Sequence, residues 1–196
     1  MDTPISQRSR LPGEPPSAFL LDMDGVLVHE AQALPGSADF ISQLTSRGTP
    51  YLVLTNNSIF TPRDLRARLA RVGINIPETA LWTSALATAQ FLETQRPGGT
   101  AFTIGEAGLT TALHDVGYTL TDVEPDYVVL GETRTYSFEA ITRAIRLVAQ
   151  GSRFIATNPD PAGPSAAGLL PATGAVAALI TKATLCRRTS SVNPTS

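Results

Sequence analysis

Short apolar runs alternate along this chain with stretches in which apolar residues return every three or four positions. The first run, Ala18-Phe19-Leu20-Leu21, ends on Asp22-Met23-Asp24-Gly25. A run of that length, bounded by acid and glycine, suits a buried strand of a parallel sheet. Ala38, Phe40, Ile41 and Leu44 follow at helical spacing, and Gly48 closes that helix. Tyr51-Leu52-Val53-Leu54 predicts a second buried strand that stops at Thr55-Asn56-Asn57-Ser58. Pro62 then stands near the start of a helix made amphipathic by Leu65, Leu69 and Val72, before Gly73. Further strands are predicted at 80–82, 101–104, 126–130 and 153–156, and helices at 85–94, 106–116 and 138–149. Residues 163–171 read as a Gly/Pro/Ala loop, followed by a helix from about Gly174 to Lys182. Such alternation with short connections predicts an α/β chain with right-handed crossovers and a mainly parallel sheet.

Composition narrows the class. With 196 residues there is room for one ample domain or two small ones. Apolar residues make up 42% and charged residues 16%, which supports a packed core and excludes wholesale disorder. The net charge is −2 and no Lys/Arg cluster forms a phosphate-backbone track, so nucleic acid and anionic membrane are excluded as expected partners. Cys186 is the single cysteine, which excludes an internal disulfide and a thiolate metal cluster. No apolar run reaches transmembrane length. Residues 1–16 carry Pro4, Pro12, Pro15 and Pro16 without an apolar stretch; they read as a flexible leader, not a signal peptide, and the expected address is the cytoplasm.

Two predicted strand ends carry unusual chemistry. The first presents Asp22 and Asp24, two positions apart and so on one side of an extended segment, with Gly25 allowing a sharp turn. The second presents Thr55, Asn56 and Asn57, a hydroxyl and two amides with free backbone N–H groups. Carboxylates are hard oxygen ligands suited to Mg²⁺, whereas hydroxyl and N–H donors suit a phosphoryl group. Either motif alone is a common turn. Both at consecutive strand ends are the parts needed for phosphoryl transfer: a nucleophilic carboxylate, an acid/base carboxylate, a cation and phosphate donors. His29 and His114 are isolated and lack ligand spacing; Trp82 reads as core, and Arg134 and Arg143 as solvated charges.

Leu21-Asp22-Met23-Asp24-Gly25-Val26-Leu27 and Leu54-Thr55-Asn56-Asn57-Ser58 resemble the first two motifs of the haloacid dehalogenase-like phosphatases. Trp82-Thr83-Ser84-Ala85, Ile104-Gly105-Glu106, Val129-Leu130-Gly131-Glu132-Thr133, Phe154 to Asp160 and Pro171 to Ala175 follow in an order similar to the NagD-type branch. Members of that branch dephosphorylate nucleotides, sugar phosphates and p-nitrophenyl phosphate. The resemblance covers about residues 17–184. It implies an incomplete doubly wound core of α/β class with an inserted α/β cap: the N-terminal part of the core over 17–80, the cap over 81–183, and an aberrant tail over 184–196. It further implies that Asp22 is the nucleophile and that Asp24 is the acid/base. Mg²⁺ would be held by Asp22 and the Asp24 carbonyl, and the phosphoryl group by Thr55 and Asn56. Asn57, Asn158 and Asp160 are implied to contact the substrate, a small-molecule phosphate ester.

Two features of the family do not follow: the lysine of a Gly-Lys-Pro segment after the cap, and a later acidic segment that completes the metal site. Lys182, inside a helix pattern, is a poor substitute. Val192-Asn193-Pro194-Thr195 is what codons for Gly-Lys-Pro-Asn give when read one nucleotide late, so a frameshift near Leu185 is expected. The alternative to a phosphatase is accordingly an inactive fragment that binds phosphate or a partner.

Overall fold

The computed structural model describes residues 18–29, 32–165 and 168–190. The expected leader and residues 191–196, on which the frameshift expectation rests, lie outside the described residues.

Strand β1 (Phe19–Asp22) is followed by a short antiparallel pair, β2 (Val28–His29) and β3 (Gln32–Ala33), then helix α1 (Ser37–Ser46) and β4 (Tyr51–Thr55). Helix α2 (Pro62–Arg71) and β5 (Leu81–Thr83) complete a parallel sheet of order β1-β4-β5. Thr61 starts α2: its hydroxyl accepts the Asp64 N–H at 3.2 Å, and Pro62 occupies the first turn, where a missing N–H costs nothing. Strand pairing sets Phe19 beside Tyr51 and Leu21 beside Val53. These four face Ile41, Leu44, Leu65 and Leu69, so α1 and α2 cover the same side of the sheet. Leu20 points the other way and is 74% exposed.

Helix α3 (Ser84–Gln95) leads to a second sheet made from β6 (Thr100–Ile104), α4 (Ala107–Asp115), β7 (Thr119–Leu120), β8 (Tyr127–Leu130), α5 (Phe138–Gln150) and β9 (Arg153–Ala156). Its order is β7-β6-β8-β9, all parallel. The chain builds outward from β6 in one direction and from β8 in the other, so α4 and α5 lie on opposite faces. Tyr127 and Val129 pack with Ala85, Leu92, Leu109 and Leu113 of α3 and α4; Val128 and Leu130 pack with Ala144, Leu147 and Ile180. All four residues of β8 are buried. Tyr118 ties α3 to this unit by donating its hydroxyl to the Leu92 and Arg96 carbonyls.

Three expectations need correction. Residues 163–171 are not an irregular loop: β10 (Ala162–Ser165) and β11 (Gly168–Pro171) form an antiparallel hairpin. A two-stranded ribbon has two free edges, so Pro164 can sit in it without depriving a neighbour of a hydrogen bond. The last helix does not stop near Lys182; α6 runs over Thr173–Ser190, because no Gly or Pro follows Gly174 until Pro194. Leu81–Thr83, which the resemblance implied to begin the cap, pairs with β4 in the first sheet. The first sheet thus ends with β5, and α3 packs against the second.

Candidate active site

The carboxyl ends of β1, β4 and β5 form one rim. Asp22 ends β1, and its Oδ1 accepts the Met23 N–H at 2.9 Å, which fixes the carboxylate. Gly25, at φ 82°, turns the chain in the left-handed region that a side chain disfavours, and its N–H reaches the Val28 carbonyl at 2.7 Å. That turn folds Asp24 back over the rim. Thr55, at the end of β4, donates its hydroxyl to Asp24 Oδ2 at 3.2 Å and accepts the Asn57 N–H at 3.2 Å. Burial pushes the Asp24 carboxyl above the usual aspartate range; the Thr55 hydrogen bond opposes this, and the Asp22 charge adds to it. Two acids and a hydroxyl from distant parts of the sequence thus meet at adjacent strand ends.

A cavity of ≈ 430 Å³ opens over this rim, lined by Asp22, Thr55, Asn56, Trp82, Phe91 and Thr157 among others. Trp82, expected in the core, instead stands half-buried in its wall. Asn57 directs its amide oxygen to the Ile59 and Phe60 N–H groups at 3.1 and 2.9 Å, so it shapes the loop after β4. Asn56 is exposed, and its amide lies 3.5 Å from Asp160 Oδ2 across the gap between the two sheets. Asn158 accepts the Asp160 N–H at 2.8 Å and lines a second cavity of ≈ 650 Å³ with Lys182. Lys182 is therefore on the Asn158 side and does not line the Asp22 cavity. His29 and His114 are exposed. Arg143 pairs with Asp122 at 2.9 Å, away from the rim.

Ser58 and Gly108 seal the two sheets together, a contact that reading them as a strand end and a helix-start turn does not give. Ser58 is fully buried; its Oγ accepts the Glu132 N–H at 2.8 Å and the Thr157 hydroxyl at 3.4 Å. The Gly108 N–H meets the Ile59 carbonyl at 2.8 Å, and a Cβ there would lie 2.6 Å from the Phe60 oxygen. The signal was present: Gly108 falls in the first turn of a helix, where glycine is a poor choice unless backbone must approach closely.

Asp22 and Asp24 supply the oxygen chemistry a small divalent cation takes, and neither joins an ion pair among the described residues. Among the described residues no third acid or histidine joins them there. No helix among the described residues is long and apolar enough to cross a membrane.

Residues 19–119 match the family model described as haloacid dehalogenase-like hydrolase. The chain is 61% identical over 167 residues to a dihydroxyacetone phosphatase of Corynebacterium glutamicum (strain R), covering 85% of this chain and 61% of that protein. It is 44% identical to the ribonucleotide monophosphatase NagD of Escherichia coli (strain K12), over 83% of this chain and 64% of the relative. The solved structure of NagD from the K-12 strain superposes with a TM-score of 0.78 at 42% identity, over 86% of this chain and 66% of that one. A 4-nitrophenylphosphatase structure from Thermotoga maritima gives 0.80 at 32% identity, over 86% and 64%. The chain spans 61 to 64% of the length of the two curated relatives.

Proposed function

The chain belongs to the haloacid dehalogenase-like hydrolases, and from that premise we propose that it hydrolyses phosphomonoesters through an aspartyl-phosphate at Asp22. The observation that carries this reading is the meeting of Asp22, Asp24 and Thr55 at adjacent parallel strand ends beneath a cavity.

Asp22 Oδ1 is held by the Met23 N–H, leaving Oδ2 to form the bond to phosphorus as the ester oxygen departs. Asp24 gives its proton to that oxygen, so the leaving group departs as an alcohol. It then takes a proton from the water that attacks phosphorus, which frees phosphate and restores Asp22. The upward push on the Asp24 carboxyl suits an acid that must keep its proton until the ester bond breaks. Thr55 Oγ1 and the Asn56 N–H hold phosphoryl oxygens. The Asp22 carboxylate and Asp24 carbonyl would hold Mg²⁺. When bound, the cation neutralises charge on the phosphoryl group.

The second sheet with its helices acts as the cap, and Asn158 and Asp160 stand on the leaving-group side. Asn57 contributes through the loop it shapes. Nucleoside monophosphates and sugar phosphates are the expected substrates, and the relative named dihydroxyacetone phosphatase adds phosphorylated dihydroxyacetone.

Hydrolysis of p-nitrophenyl phosphate in Mg²⁺ by the purified chain tests this. Asp22→Asn should lower the rate by at least about 10³-fold with circular dichroism unchanged. A variant retaining most of the rate removes Asp22 as nucleophile. The reading as a phosphate-binding module without turnover is favoured by the narrow donor set: among the described residues that line the cavity Asp22 is the one acid and there is no cationic side chain. Binding of inorganic phosphate by a chain that never hydrolyses the ester would select it.

A further inference from the structure

Glu132 begins the loop after β8. The second sheet reverses its direction of growth between β6 and β8, and in parallel sheets the crevice at such a reversal, beyond the carboxyl ends, is where ligands bind. Glu106 and Glu132 stand at the two lips of that crevice. Glu106 is engaged, accepting a hydrogen bond from the Thr133 hydroxyl. The backbone around Glu132 is held firmly. Its N–H is on buried Ser58; Gly131 O accepts the Tyr136 hydroxyl at 3.0 Å, and that hydroxyl accepts the Thr133 N–H at 3.3 Å.

The Glu132 carboxylate is the exception within this network. It is half-buried, yet among the described residues no side chain or N–H hydrogen-bonds it and no cation lies within 4 Å. Burial pushes its proton affinity up; Arg134 opposes this, and the charge of Asp24 across the gap adds to it. A partly desolvated acid without a donor is costly, and in a crevice such a group is a candidate ligand site. Ser58, which takes the Glu132 N–H, also takes the hydroxyl of Thr157 in the wall of the Asp22 cavity. Glu132 thus stands one hydrogen-bonded residue behind that wall, on the side of Asp24, which handles the leaving oxygen in the reaction proposed above. A carboxylate repels the phosphoryl group and accepts only O–H or N–H donors, so its partner must be on the leaving group.

We infer that Glu132 is a specificity-determining residue that accepts a hydrogen bond from a hydroxyl of the leaving alcohol, selecting polyol and sugar phosphates over aryl phosphates. This rests on the phosphatase reading. Ser58 is the positioning residue that fixes its backbone.

The test is calorimetric titration of the Asp22→Asn chain in Mg²⁺ with glycerol 1-phosphate and with phenyl phosphate, whose leaving group has no donor. Adding Glu132→Ala should reduce the ratio of the two affinities by about tenfold or more, the usual loss when a charged acceptor is removed. Glu132→Gln, which keeps the volume should the alanine variant not fold, should reduce it several-fold. An unchanged ratio, or equal weakening of both ligands, overturns the inference while leaving the phosphatase reading in place. A chain that binds neither ester overturns both.

Discussion

The two sheets arise from the same strand–helix alternation but are wrapped differently. In the first, each new strand is added on the same side, so α1 and α2 fall on one face and Leu20 is left 74% exposed on the other. In the second, the strands grow outward from the middle, helices fall on both faces, and β8 is buried throughout. Coverage is thus set by strand order, not by how apolar the strands are. Phe19-Leu20-Leu21 and Tyr127-Val128-Val129-Leu130 are comparably apolar. The nucleophile candidate is on the thinly covered sheet, while the unpartnered Glu132 is presented by the well-covered one.

Side-chain truncation should separate the two most sharply. Leu130→Ala should cost about 2–5 kcal/mol of stability in urea unfolding, as a core deletion does, whereas Leu20→Ala should stay within about 0.5 kcal/mol. Equal costs would show that Leu20 is covered in solution. Amide exchange should sharpen the contrast residue by residue. The amides of Tyr127–Leu130 should exchange at least about 10²-fold more slowly than those of Phe19–Asp22. Uniform protection in a monomer would mean that the two sheets open as a single unit.

Gly108→Ala tests whether the halves are fused at their seam. Its methyl would meet the Phe60 carbonyl at 2.6 Å, and the displacement should cost about 1–3 kcal/mol. A neutral substitution would mean that the seam is loose.

The smallest effect concerns pH. The folded Glu132 carboxyl holds its proton more tightly than an unfolded glutamate. The parent's stability from this group is therefore complete below the unfolded value, about 4.5, and is lost as pH rises through the higher folded one. Glu132→Gln should raise Tm by about 1–2 °C at pH 8 in EDTA and leave it unchanged at pH 4. A gain of equal size at both pH values would assign the effect to packing.

Much of the architecture was legible in sequence because core strands are short, apolar and bounded by glycine or acid, and because the helices carry apolar residues at regular spacing. The pairing of Asp22 and Asp24 with Thr55 was legible too, since each motif closes an apolar run. The hairpin at Ala162–Pro171 was not, because Gly163, Pro164 and Gly168 signal a turn whether or not the flanking backbone pairs. The two-residue strand Thr119–Leu120 is too short to show a period. The end of α6 was not legible, because the apolar rhythm fades beyond Lys182 whereas a helix, once formed, propagates until something stops it. Ser58 and Glu132 escaped for a different reason. Their importance comes from a contact between residues 74 positions apart, which no local pattern encodes.

Trp82 is the only tryptophan in the chain, and it stands in the wall of the Asp22 cavity. Its indole is therefore a fluorophore placed at the site by the fold. Filling the cavity displaces water from the ring, so emission should shift to the blue with ligand concentration and no label need be attached. The same signal gives a clock: stopped-flow mixing would time the arrival of an ester before any product forms.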